Sequence, residues 1–158
     1  MATSQQLENL RNLFLAAQTS DHIFPAAAAC EACLETGWLT STLGNEYNNL
    51  FGQKVSVDAP NLFLQVRMPT VEDVDGHPIN TWANFVWYPT KDKSFTDRMN
   101  LLVRLQDEYP AYKSALHAGD PETFITEVSK SWSTDADRAK KVLEIYHAHP
   151  SLFTEVPA

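Results

Sequence analysis

The stretch from Phe24 to Thr36 constrains this chain more than any other. Eight of its thirteen residues are alanine, cysteine or leucine. Pro25 suits the first turn of a helix, where its missing N–H costs nothing, and Gly37 suits the stop. A helix with so little polar surface must be buried almost all round by other elements. The sequence therefore predicts a domain packed about this segment.

The flanking segments supply those elements. Leu7, Leu10, Phe14 and Ala17 recur at helical spacing, and Thr3 with Gln6 has the form of a capping box, so Ser4–Thr19 is predicted as a helix. A short helical turn is expected over Leu39–Gly44 and a loop over Asn45–Gly52. Strand-forming residues then dominate Leu62–Arg67, Thr70–Val74 and Trp82–Tyr88, with Asp75-Gly76 as a turn. These predict a small antiparallel sheet of two or three strands. Ser94, answered by Asp97, reads as the cap of a helix reaching Glu108. Pro110–Ala118 is a short helix stopped by Gly119. Asp120-Pro121 opens a helix ending near Ser131, and Thr134 with Asp137 opens a last one reaching His149, before Pro150. The tail from Ser151 is expected to be loose. Helices, a small sheet, then helices give an α+β fold, mainly α, in one domain spanning 1–158.

At 158 residues such a domain buries enough apolar surface to need neither disulfide nor metal as a staple. The net charge of −8 argues against a nucleic-acid partner and against docking on anionic lipid. The longest apolar run, Ile23 to Cys30, is too short for membrane insertion. The polar start, Met1 to Asn9, lacks the pattern of a secretory signal, so the expectation is a product made in the cytoplasm without a signal peptide. Cys30 and Cys33 fall mid-helix, without the helix-start position that activates a thiol. A zinc site needs two further ligands, and His147 and His149 point to different faces of a helix. Two small buried cysteines are the reading that fits.

Chemistry concentrates between Ala29 and Lys54. Glu35 ends a helix whose preceding turns are apolar, so its carboxylate is expected to be partly desolvated and to sit at the negative end of the helix dipole. Both effects favour the protonated form, which a general acid requires. Gly37 lets the chain turn sharply and Trp38 offers an aromatic face.

Ala32-Cys33-Leu34-Glu35-Thr36-Gly37-Trp38, followed by Asn48-Asn49-Leu50-Phe51-Gly52-Gln53-Lys54, resembles the bacterial endo-β-N-acetylglucosaminidases of glycoside hydrolase family 73. Weaker similarity in Phe85–Ser94 and in Ser131-Trp132-Ser133-Thr134-Asp135 extends the resemblance from about Ile23 to His149. It implies a lysozyme-like helical domain with a small β-hairpin lobe, acting on the glycan strands of peptidoglycan. It implies Glu35 as the catalytic acid and a second acid on the hairpin, by position Glu72, with Asp73 and Asp75 as rivals. The chain departs from the family at Leu39, where a glycine is usual, and at Trp132, where a tyrosine is usual. Trp132 can still stack on a sugar.

The substrate-binding candidates are Trp38, Asn49, Trp87 and Trp132. Trp82 and Tyr88 also fall where a cleft could be lined, while Leu50 and Phe51 should anchor their loop and Tyr109 and Tyr112 should be structural. The expected activity is hydrolysis of the β-1,4 bond after N-acetylglucosamine, by a monomer and without metal or organic cofactor. A muramidase or lytic transglycosylase on the same fold, and a non-catalytic wall-binding module, are the alternatives. A phage lysin, an autolysin domain and an exported toxin all fit this pattern.

Overall fold

A computed structural model describes residues 1–56 and 63–154. The chain forms α1 (Ser4–Thr19), α2 (Pro25–Glu35), α3 (Thr42–Asn45), β1 (Leu64–Val74), β2 (His77–Trp87), α4 (Lys91–Leu105), α5 (Pro110–Leu116), α6 (Pro121–Trp132) and α7 (Arg138–Ala148). A 3-10 turn, Pro150–Phe153, follows. The fold is mainly helical with one antiparallel hairpin, as expected for a lysozyme-like domain.

Helix α2 lies in the core. Every residue from Ala27 to Cys33 is buried, against α1, α6 and α7. Alanine dominates because neighbouring helices approach closely only where side chains are small. Cys30 and Cys33 are free and fully buried. Burial pushes the Cys33 thiol up to about 12 and the Cys30 thiol further in the same direction. Helix α1 opens with the expected capping box, Thr3 Oγ1 accepting from Gln6 N and Gln6 Oε1 accepting from Thr3 N.

Several elements differ from the sequence reading. The two short strands expected before the turn are one continuous strand, β1, paired with β2 from Leu64↔Trp87 to Val74↔His77. The expected first residue, Leu62, lies outside the described residues. Pro69 does not break the strand because β1, among the described residues, pairs only with β2 and is an edge strand, where a proline is tolerated. Asp75 and Gly76 both take positive φ, 53° and 81°, making the turn that the dipeptide favours. Ser94 is not a helix cap. Helix α4 begins three residues earlier, and Ser94 is buried with its Oγ accepting from Leu50 N at 3.0 Å. Asp97 instead accepts from the Tyr88 hydroxyl. Helix α7 starts at Arg138, with no side-chain cap from Thr134 or Asp137. The tail is pinned as far as Thr154, because Arg11 Nη1 donates to the carbonyls of Leu152 and Thr154, each at 2.7 Å. Phe153 also stacks on Tyr146.

Candidate active site

Glu31 and Glu35 stand one turn apart on α2 and so share a face. Glu31 is wholly buried. Arg98 from α4 grips it with two bonds, Nη1 to Oε1 at 3.0 Å and Nη2 to Oε2 at 2.6 Å. Arg138, at the start of α7, donates from Nη2 to Glu31 Oε2 at 2.8 Å, from Nη1 to Ser129 Oγ at 2.8 Å, and from Nε to Glu35 Oε1 at 3.0 Å. Two arginines thus balance two glutamates inside the domain.

Burial alone would push the Glu31 carboxyl up, but Arg98 and Arg138 outweigh it and hold the group at about 2. Burial would likewise weaken the charge on Arg138, and Glu31 and Glu35 more than restore it, moving it upward. Arg98 also lies against the rings of Phe51 and Trp132, its guanidinium carbon 4.5 and 4.4 Å from their centroids, and the two rings meet edge to face. The Glu35 side chain remains 30% exposed. Its surroundings therefore differ from the apolar ones expected: a fixed cation stands beside the carboxylate.

The chain leaves α2 through three consecutive left-handed residues, Gly37, Trp38 and Leu39, at φ 57°, 60° and 63°. Leu39 thus takes a left-handed conformation of the kind a glycine adopts without steric cost. Thr36 makes this possible. Its Oγ1 accepts from Leu39 N at 3.0 Å and donates to Ala32 O at 2.7 Å. Asn9 on α1 secures the same turn by donating to Trp38 O at 3.0 Å. Gly44 packs on this corner, where an added Cβ would fall 2.5 Å from Thr36 Cγ2.

A cleft of about 800 Å³ runs between the loop Phe51–Lys54 and α4, with Tyr109, Tyr112 and Trp132 at one side. A second hollow also reaches Trp132 and follows Ser129–Ala136. Glu35 does not line the cleft beside α4. It is joined to it through Arg138, Glu31 and Arg98, which underlies Trp132 and Phe51. Glu72, half-buried on β1, is joined to it through Lys54, a wall residue with which it forms an ion pair. Asp73 and Asp75 are exposed toward the hairpin tip.

Asn49 is 1% exposed and committed to the backbone. Its Nδ2 donates to Gln53 O and Val86 O, each at 2.9 Å, and its Oδ1 accepts from Gln53 N at 2.9 Å. It ties the loop to β2 rather than presenting an amide to a sugar. Asn48, at φ 56°, donates to Tyr88 O and accepts from Lys91. Leu50 and Phe51 anchor the loop in the core. Trp38 is half-buried, edge-on to His149, and Trp87 is edge-on to Tyr47. Trp82 is exposed under Arg67, and Tyr88 is fully buried. Neither hollow includes any of these four, whereas Tyr109 and Tyr112 line the cleft, Tyr112 from the buried core as its structural reading expected.

Sequence reasoning missed Glu31, Arg98 and Arg138. The signal available was Glu31 itself, an acid within an apolar helix, which demands a buried cation from elsewhere. Among the described residues, no group of three or more histidines, cysteines or acids is placed to hold a metal ion.

Residues 11–150 match the family model described as mannosyl-glycoprotein endo-beta-N-acetylglucosaminidase. The exo-glucosaminidase LytG of Bacillus subtilis is 32% identical over 126 residues, which cover 78% of this chain and 43% of that protein. The chain thus spans less than half of that relative's length. In structure it is similar to the catalytic domain of the autolysin Auto from Listeria monocytogenes, with a TM-score of 0.77 and 24% identity over 97% of this chain and 88% of that one. It is also similar to a glycoside hydrolase domain of Salmonella typhimurium FlgJ, with a TM-score of 0.69 and 21% identity over 92% and 98% of the two chains. These structural likenesses agree on the fold, and the match across residues 11–150 shows that the chain belongs to the mannosyl-glycoprotein endo-beta-N-acetylglucosaminidase family.

Proposed function

We propose that this domain hydrolyses the β-1,4 bond after N-acetylglucosamine in peptidoglycan, with Glu35 as general acid and Glu72 serving the opposite face of the sugar. The family membership, the exo-glucosaminidase name of the Bacillus subtilis relative, and the structural likeness to an autolysin and to a peptidoglycan hydrolase of Sphingomonas sp. A1 support the substrate class. The observation that carries the reading is Glu35. It combines a partly exposed carboxyl, a fixed position at the end of a core helix and one oxygen held by Arg138.

The chemistry follows from that arrangement. Oε1 accepts from Arg138, and Oε2 is the oxygen left to protonate the departing glycosidic oxygen. Glu72, held by Lys54 at the cleft wall, is the better placed of the three hairpin acids to activate a water or to stabilise positive charge on the sugar. Water then completes the hydrolysis at the anomeric carbon. Trp132 provides a ring on which a sugar can stack.

The test is digestion of purified peptidoglycan by the wild type and by Glu35→Gln, with product ends identified by reduction and mass spectrometry. Reducing N-acetylglucosamine ends from the wild type alone are expected. Reducing muramic ends or anhydro ends would replace the bond assignment by the muramidase or transglycosylase alternative. Equal cleavage by the variant would remove Glu35 from the mechanism.

A further inference from the structure

We propose that Arg138 is a positioning residue that selects Oε2 of Glu35 as the proton-bearing oxygen and stabilises the carboxylate left after the proton is given up. The inference rests on the reading of Glu35 as the acid. It is carried by the geometry of one guanidinium. Nε reaches Glu35 Oε1 at 3.0 Å, while Nη1 and Nη2 are fixed by Ser129 and Glu31, each at 2.8 Å. A guanidinium bound at three points on α2 and α6 cannot follow a moving side chain. It therefore dictates where the Glu35 carboxyl sits.

The charges support the same role. Arg138 is 1% exposed, and its cation is maintained by Glu31 as well as by Glu35. The surrounding groups are Glu31 on α2, Arg98 on α4, Tyr112 on α5 and Asp135 before α7, with His22 beside Arg98 and Cys30 beside Glu31. Glu31 and Arg98 neutralise each other as a two-bonded pair. This leaves the charge of Arg138 to be balanced by Glu35, so a carboxylate formed there meets a cation already oriented. Nothing needs to reorganise when the proton departs. An Oε1 that is always accepting is a poor place for the acid proton, which leaves Oε2 to carry it.

The experiment compares wild type, Arg138→Gln, Arg138→Lys and Glu35→Gln as full chains on a soluble peptidoglycan oligomer. It measures kcat and KM across pH, with thermal melting followed by circular dichroism. In Arg138→Gln the Glu31–Arg98 pair stays balanced, so the fold is expected to persist. Its kcat is expected to fall about 10- to 100-fold with KM nearly unchanged. Arg138→Lys keeps the charge and is expected to return kcat toward that of the wild type.

A folded Arg138→Gln with unchanged kcat would overturn the inference. So would a loss of activity that only matches the loss of folded protein, or a loss that Arg138→Lys does not restore in a folded protein. If Glu35→Gln were itself fully active, the functional reading would fail instead. An inactive Glu35→Gln beside a wild-type-like Arg138→Gln would reject the positioning role alone.

Discussion

Arg98 and Glu31 form a two-bonded ion pair in which both side chains are wholly removed from water. Replacing Glu31 by alanine would leave Arg98 buried with only aromatic rings for company and would free one arm of Arg138. The expected cost is about 3–5 kcal/mol, the range for stranding one member of a buried pair. Urea unfolding of Glu31→Ala against wild type measures it. A loss below about 1 kcal/mol would mean that Arg98 finds water or another acceptor in the variant.

His22 governs the response to acid. It is buried, with Nδ1 accepting from Phe24 N and its ring set edge-on to Phe95 and Phe124. Burial, and then Arg98, lower its pKa from 6.5 to about 3, against a smaller upward pull from Glu31. The unfolded chain therefore binds a proton more readily than the folded one. The stability from a neutral His22 is fully present above pH 6.5 and is lost as pH falls toward 3. Glu31, lowered from 4.5 to about 2, adds a loss in the same direction that begins near pH 4.5. Unfolding free energy measured from pH 7 to pH 4 should decline, and His22→Gln should flatten that slope. An equally steep decline in the variant would assign the acid sensitivity to other groups.

Leu39 offers a test of backbone strain. Its φ of 63° lies where a side chain costs about 1–2 kcal/mol, yet its side chain also packs against the core. Leu39→Ala loses the packing and keeps the strain. Leu39→Gly loses the packing and relieves the strain. The glycine variant is expected to be more stable than the alanine variant by about 1 kcal/mol, the reverse of the order in a helix. Denaturant midpoints of the two variants decide it. A more stable alanine variant would show that the turn relaxes away from left-handed geometry.

The helices were legible because each carries local signals. Apolar periodicity marks α1, the Asp120-Pro121 start marks α6, and the alanine-rich run marks α2 as a helix that must be buried. Asp75-Gly76 likewise announced the hairpin turn, since few other pairs take positive φ twice. The length of β1 was less legible. Pro69 reads locally as an interruption, and only the pairing with β2 shows β1 to be an edge strand, where a proline is tolerated. Ser94 failed as a cap for a similar reason, because Leu50 N, 44 residues away, takes its oxygen.

The sequence by itself determined the buried helix, the hairpin and the placement of Glu35 at a helix end, all consequences of side-chain size, periodicity and turn chemistry over a few residues. Tertiary structure alone decided what surrounds Glu35. Arg138 lies 103 residues farther along the chain, and no local rule pairs it with that carboxylate. The pairing arises because α7 packs on α2, where Glu31 already requires a buried cation and low dielectric makes the match worth completing.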